Sequence, residues 1–341
     1  MKFFIKVFFS ILLIFNLTFV SSAQADPEAA DTVSVGTGGS AGTEIKPQAV
    51  VFNSDGTKMF VLHNRTPSGG ASSNFDRVEE YALDPGFDIT SAGSFRVRKI
   101  IKDQDTAPRG LAFNNDGTKM FVVGDAGNDV NEYEMGDADD VPFDISTADF
   151  VDSFSVNSQD TDPQSIAFNN DGTKMFVVGN DGNDINEYTL TTGFDVSSAS
   201  FVDSFQIDDD QDDTPRGIAF NNDGTKMFVV GDDDNDINEY TLSTGFDVSS
   251  ASFVDGNGDG TGFSVRTQTP TPSGIAFNND GTKMFVTDRG GADVHSYDLD
   301  APFDIGFTDP ILSSSVPADN ATSVAVDANI VLNFSENVDA E

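Results

Sequence analysis

The sequence predicts an all-β fold, a ring of five four-stranded sheets in the manner of a β-propeller, and three observations predict it. The segment FNSDGTKMF from Phe52 recurs as FNNDGTKMF from Phe113, Phe168, Phe220 and Phe277, at spacings of 61, 55, 52 and 57 residues. All five tyrosines (Tyr81, Tyr133, Tyr188, Tyr240, Tyr297) occupy one position of that repeat, and each is followed by Phe-Asp at Phe87, Phe143, Phe194, Phe246 or Phe303. No stretch carries a sustained 3.6-residue apolar period, so helices are not needed. Four short strands in roughly 50 residues, repeated, is the pattern of blades that cover one another's faces. A β-solenoid, the main competitor, uses shorter coils and needs capped ends.

Within the unit that opens at Pro215, Gly217 to Asn221 reads as the first strand, and Asn222-Asp223-Gly224 supplies the positive-φ chemistry of a hairpin turn. Lys226 to Val230 is the second strand, Asp236 to Leu242 the third, and Ser252 to Val254 lies in the fourth. KMFVV is a continuous apolar run because a blade strand is buried on both sides. With 31 Phe and no Trp, one aromatic type fills most of the core. The fifth unit ends at Phe303-Asp304-Ile305 without an outer strand like Phe150 to Val156 or Phe201 to Ile207. Asp31 to Val35, upstream of the first unit, is the spare strand that would complete it and close the ring.

Three segments are expected: a signal peptide at 1–25, the propeller at 26–308, and a linker with the start of an Ig-like domain at 309–341. The first combines basic Lys2 and Lys6, an apolar run from Phe8 to Val20, and Ala23-Gln24-Ala25 before Asp26. A membrane anchor is the alternative, but Ser10 and Asn16 interrupt the run, and no later stretch could span a bilayer. The expected location is periplasmic, cell-surface or extracellular, and the propeller is expected to be monomeric. The formal charge is −39, and loss of Lys2 and Lys6 takes it to about −41, a surface that repels nucleic acid and anionic lipid. The absence of Cys leaves packing, ring closure or bound ions to stabilise an exported chain.

FNNDGTKMFVVG, NDINEYTL and FDVSSASF resemble the repeats of bacterial and phage β-propeller proteins of the YVTN and lactonase-like pattern, over residues 31 to 308. The resemblance implies the fold and is weak for activity, since such propellers include surface binders, tail-associated adhesins and enzymes. The catalytic residues of lactonase-like members find no matching positions here. Ser314 to Ala340 resembles the opening of an SbsA-type bacterial Ig-like domain, with Pro317-Ala318-Asp319 and Ile330 to Phe334 matching the usual start. About two strands of the roughly seven in such a sandwich are present, so the sequence is expected to stop inside that domain.

Blade topology gathers the inter-blade loops and the loops between second and third strands on one face, opposite the Asp-Gly turns. That face concentrates acid, with Asp105, Asp160 and Asp212 in the inter-blade loops, and its repeated cations are Arg109 and Arg216, each directly after a Pro. These five residues are the expected ligand face, though a solvated surface is an equally open reading of such charge. Asp255, Asn257 and Asp259 alternate as D-x-N-x-D-G, the first half of a calcium loop, but Arg266 stands where a bidentate Glu would be needed. A loose Ca²⁺ site or a plain Gly-rich turn both fit. His63 and His295 lie in the first and last units without a third ligand motif, and Lys58, Lys119, Lys174, Lys226 and Lys283 read as strand-edge features. Two functions stand: a non-enzymatic recognition, adhesion or scaffold module for a glycan or surface protein, assisted by calcium, or a lactonase-like or other hydrolase with a metal at the centre of the acidic face.

Overall fold

The computed structural model describes residues 31–36, 45–65, 76–136, 141–208, 211–254, 262–306, 312–316 and 331–334. The segment read as a signal peptide lies outside them. Strand β1 is Asp31–Ser34. The first blade is β2 (Ile45–Phe52), β3 (Lys58–Arg65), β4 (Arg77–Ala82) and β5 (Val97–Ile100), all antiparallel neighbours. The second is β6 (Pro108–Phe113), β7 (Lys119–Gly124), β8 (Asp129–Glu134) and β9 (Asp149–Ser155). The third is β10 (Pro163–Phe168), β11 (Lys174–Gly179), β12 (Asp184–Leu190) and β13 (Ala199–Gln206). The fourth is β14 (Pro215–Phe220), β15 (Lys226–Gly231), β16 (Asp236–Leu242) and β17 (Ala251–Phe253), with a two-residue β18 (Phe263–Ser264) also on β16.

The fifth blade holds β19 (Pro272–Phe277), β20 (Lys283–Asp288) and β21 (Asp293–Asp298), and its outer strand is β1. Thr32 stands opposite His295 and Val33 opposite Val294, so the chain start completes the last sheet as expected. The inner strands touch in the cyclic order β2, β6, β10, β14, β19 and back to β2, which makes the ring complete. Beyond it, β22 (Leu312–Val316) pairs with β23 (Val331–Phe334), a two-stranded start that agrees with the Ig-like reading.

Phenylalanine fills the clefts between blades in repeated triads. Phe121 of β7 meets Phe168 of β10 at 4.6 Å between ring centroids, and both meet Phe194 of the third blade, at 6.3 and 5.3 Å. The same triad recurs across the last junction, with Phe285, Phe52 and Phe87. Each Phe of the Phe-Asp pair adopts positive φ, from 53° to 62°, a conformation a bulky residue rarely takes. The Gly of the Asp-Gly turn makes that possible: a Cβ on Gly224 would lie 2.2 Å from the Phe246 ring, and its own φ is +71°. The repeat therefore couples two distant positions, Gly224 and Phe246, in one knot.

After each Phe-Asp pair of the first four blades comes a three-residue 3₁₀ turn (Ile89–Ser91, Ile145–Thr147, Val196–Ser198, Val248–Ser250), capped by Asp88, Asp144, Asp195 or Asp247. The sequence reading contained no helix, and a single turn is too short to show in apolar periodicity. The repeated lysines do more than sit at strand edges. Lys174 on β11 binds Glu187 at 2.7 Å and donates to the carbonyl of Phe246 in the next blade at 2.6 Å. Glu187 in turn accepts from the Val248 N–H at 3.1 Å. Lys58, Lys119 and Lys226 latch onto Phe143, Phe194 and Phe303 in the same way. At the junction of the fifth blade with the first, Ser296 replaces the Glu and Lys283 pairs with Asp298 instead.

Candidate ligand face

Every inner strand carries a Pro at or near its start, and the pairing register shifts across the residue after it: between Pro47 and Ala49, Pro108 and Gly110, Pro163 and Ser165, Pro215 and Gly217, Pro272 and Gly274. Such a bulge re-aims the extra side chain. The bulged residues are Gln48, Arg109, Gln164, Arg216 and Ser273, one from each blade around the axis. Arg216 donates to Gln164 Oε1 at 2.7 Å across the blade junction. It also lies 3.7 Å from Asp232, whose carboxylate is shared with Arg289 of the fifth blade. Arg109 pairs with Asp125 at 3.4 Å. Burial, and after it the nearby charge of Arg289, lower the pKa of Arg216, to which Arg109 contributes as well. Arg216 and Arg289 thus share one carboxylate, Arg109 has its own in Asp125, and each of the three keeps a buried Nε without a hydrogen-bond partner.

Arg109 and Arg216 occupy the same bulge position of their blades, and Arg289, which shares Asp232 with Arg216, was not among the residues the sequence pointed to. Its signal was available: Asp288-Arg289 stands where the second and fourth blades have Gly-Asp, at Gly124-Asp125 and Gly231-Asp232. Asp105, Asp160 and Asp212 are not displayed on the face. They are buried to 1%, 3% and 1% exposure. Each folds back over the glycine that ends the second strand of its blade; a Cβ on Gly124, Gly179 or Gly231 would lie 2.1, 2.0 or 1.0 Å from the carboxylate. Each also caps its own loop, accepting from the N–H of Ala107, Asp162 or Thr214. Composition shows the acid but not this glycine slot, so a surface role was assigned to what is a buried one.

The slot holds two carboxyls per blade in blades two to four. Gly124 pairs in register with Asp129 and Gly179 with Asp184, and Asp236 starts β16 at the equivalent place. Burial, the first cause, with the neighbouring acids behind it, pushes Asp105 up to about 6 and Asp212 up to about 7. Burial likewise raises Asp184 and Asp236, each to about 6. In the first blade the same place is filled by Arg77, Glu79 and His63: Arg77 Nε donates to Glu79 at 2.7 Å and His63 Nε2 lies 3.1 Å from it. Burial lowers the His63 pKa and Glu79 opposes it. His295 bonds Thr32 Oγ1 through Nδ1 at 2.9 Å. The two histidines thus serve separate buried networks.

Asp255, Asn257 and Asp259 lie outside the described residues. Among those described, no group of three or more His, Cys, Asp or Glu is placed to hold a metal, and no helix is long and apolar enough to cross a membrane. A cavity of about 420 Å³ runs along the axis toward the Asp-Gly face, lined by Val50, Leu111, Ile166, Ile218 and Ile275. At its rim Asn115, Asn170, Asn222 and Asn279 each donate a side-chain N–H to the backbone of the next blade, and Ser54 breaks the series.

Residues 307–341 match the model of a bacterial Ig-like domain. Similar solved structures include a functionally unknown protein from Desulfotomaculum acetoxidans, at 17% identity over 76% of this chain and 69% of that one, with a TM-score of 0.45. A proposed 6-phosphogluconolactonase from Bacteroides fragilis is 10% identical over 74% and 80%, with a TM-score of 0.46. A protein from Lactobacillus plantarum is 14% identical over 62% of this chain and 54% of its own, with a TM-score of 0.41, so the match spans about half of it. No curated protein sequence matches the chain.

Proposed function

We propose that this chain is a non-enzymatic recognition module of an exported, surface-displayed protein, and that it takes the anionic group of a glycan or surface protein at the axial mouth of the propeller. The observation that supports the reading most is the trio Arg109, Arg216 and Arg289. In a chain of charge −39 it sets three cations on one face, and beyond their pairs with Asp125 and Asp232 their Nε atoms have no acceptor in the protein. Guanidinium forks suit carboxylate, sulfate or phosphate groups. The hydrolase alternative would need a base within reach of substrate, whereas His63 is 0% exposed and engaged by Glu79.

The test is a binding comparison at physiological salt between acidic glycans and their neutral counterparts, using the whole chain. Acidic ligands should bind, and Arg216→Gln and Arg289→Gln should each weaken them at least tenfold, about 1.4 kcal/mol. Equal binding of neutral and acidic ligands, or undiminished binding by both variants, would remove the axial mouth as the site.

A further inference from the structure

The polar slot beneath the face balances its charge differently from blade to blade. The first blade neutralises Glu79 with Arg77 and His63. In the fifth, the acid comes from Asp288 on the strand, and Thr271 Oγ1 at 2.5 Å with the N–H groups of Gly290 and Gly291 at 2.9 and 3.0 Å saturates it. In the third, Asp160 Oδ2 accepts the Gly182 N–H at 2.8 Å. In blades two and four the equivalent oxygens, Asp105 Oδ2 and Asp212 Oδ2, have no such donor. Where the first blade has the cation Arg77, the other four carry Asp129, Asp184, Asp236 and Asp293. The carboxyls at issue in blades two and four are Asp105 with Asp129, and Asp212 with Asp236, whose Oδ2 accepts the Gly262 N–H at 3.0 Å.

Among the described residues no Lys, Arg or His pairs with these four carboxyls. Arg109 acts on Asp105 and Arg266 on Asp236 only as lesser influences, while Asp125, Asp213, Asp233 and Asp234 add negative charge. Independently of the acids, the amide of Asn238, at 0% exposure, donates to Asp236 Oδ1 at 3.3 Å and to the Gln211 carbonyl at 3.2 Å, and its own Oδ1 has no partner. Asp105 Oδ2, Asp212 Oδ2 and the Tyr133 hydroxyl are likewise buried and unpartnered. Two buried like charges side by side do not both stay ionised without a counter-charge.

We propose that blades two and four each hold a hard divalent cation, with Asp105 and Asp129 supplying the charge in one and Asp212, Asp236 and the Asn238 carbonyl in the other. The guanidinium of Arg77 shows the place of that cation in the first blade. Oxygen donors in an incomplete cage suit Ca²⁺, whose geometry is flexible, better than Mg²⁺, and the affinity expected is on the order of 10⁻⁴ to 10⁻³ M. The inference rests on the fold and not on the ligand proposed above.

Terbium is a hard-ion probe for the test, because its emission is sensitised by a nearby tyrosine and this chain has five Tyr and no Trp. Tyr133 feels Asp105 and Asp129, and Tyr240 feels Asp212 and Asp236. The whole chain, stripped with chelator, should give sensitised emission that millimolar Ca²⁺ displaces and equal Mg²⁺ does not. Asp105→Asn and Asp212→Asn should each remove about half of it and the double variant nearly all, while Asp160→Asn leaves it. A second measurement needs no variant: Ca²⁺ should raise the melting temperature more than Mg²⁺ at equal ionic strength. Absent emission, emission unchanged in a folded double variant, loss of it in Asp259→Ala, or equal effects of both ions on melting would each overturn the proposal.

Discussion

Replacing Glu187 tests whether the lysine latch holds neighbouring blades together. In Glu187→Ala, the Val248 N–H loses its acceptor at 3.1 Å in a residue of 0% exposure. A buried donor left unmade costs about 1–3 kcal/mol. Lys174, whose side chain is 29% exposed and still bound to the Phe246 carbonyl, loses a screened ion pair worth about 1 kcal/mol at most. The expected destabilisation is therefore about 1–4 kcal/mol. Glu187→Gln keeps an oxygen for Val248 and gives up only the charge, so it should cost about 1 kcal/mol. Equilibrium urea unfolding, followed by far-ultraviolet circular dichroism and by tyrosine fluorescence, measures both. Equal losses in the two variants, or a loss below about 0.5 kcal/mol in Glu187→Ala, the range of ordinary surface substitutions, would refute the latch.

Deleting Asp31–Ser34 should leave β21 as an open edge, lower the melting temperature and give concentration-dependent association in light scattering; a monomer with unchanged melting would contradict closure by that strand. For chelator-treated protein, stability should rise as pH falls from 8 to 6. Asp105, Asp184 and Asp236 at about 6 and Asp212 at about 7 lie above the ordinary carboxyl value of 3.8. Their contribution is whole below that value and is lost as pH rises through about 6 to 7. His63 and His295, both lowered, work the opposite way only below about 6.5, and the turn aspartates such as Asp223, lowered by Thr225, fail only below 3.8. A melting temperature that falls between pH 8 and 6 would show that the carboxyl pairs are not buried together.

Much of this fold is legible because the sequence states it five times. A tyrosine used once per repeat has to be filling one slot, and Tyr188 does lie opposite Met175 as Tyr240 lies opposite Met227. Couplings between positions about 20 residues apart are not legible in that way. Nothing local says that Gly224 is glycine partly because Phe246 rests on it, or that Gly231 leaves room for Asp212. For the same reason acidic loops read as surface when three of their carboxyls turn inward. The arginines were half visible, since Arg109 and Arg216 share a repeat position whereas Arg289 comes from a different loop and meets Arg216 only in three dimensions, at Asp232.

The strand that closes the ring is the first part of the propeller to be synthesised and the last to be used. Thr32 and His295, which bond across that junction, are 263 residues apart in the chain. A ribosome or an export channel would release β1 long before β21 exists, and the pairing of these ends carries the largest loop-closure entropy in the molecule. The same junction lacks the glutamate latch, at Ser296, so of the two repeated contacts only the link from Asn279 to the Ser54 carbonyl is there to hold it while the ends search. The other four junctions join units that follow directly in sequence and can form as the chain emerges. Moving the chain ends to another blade boundary by circular permutation would make this junction local, and such a permutant should close faster in refolding than the natural order does.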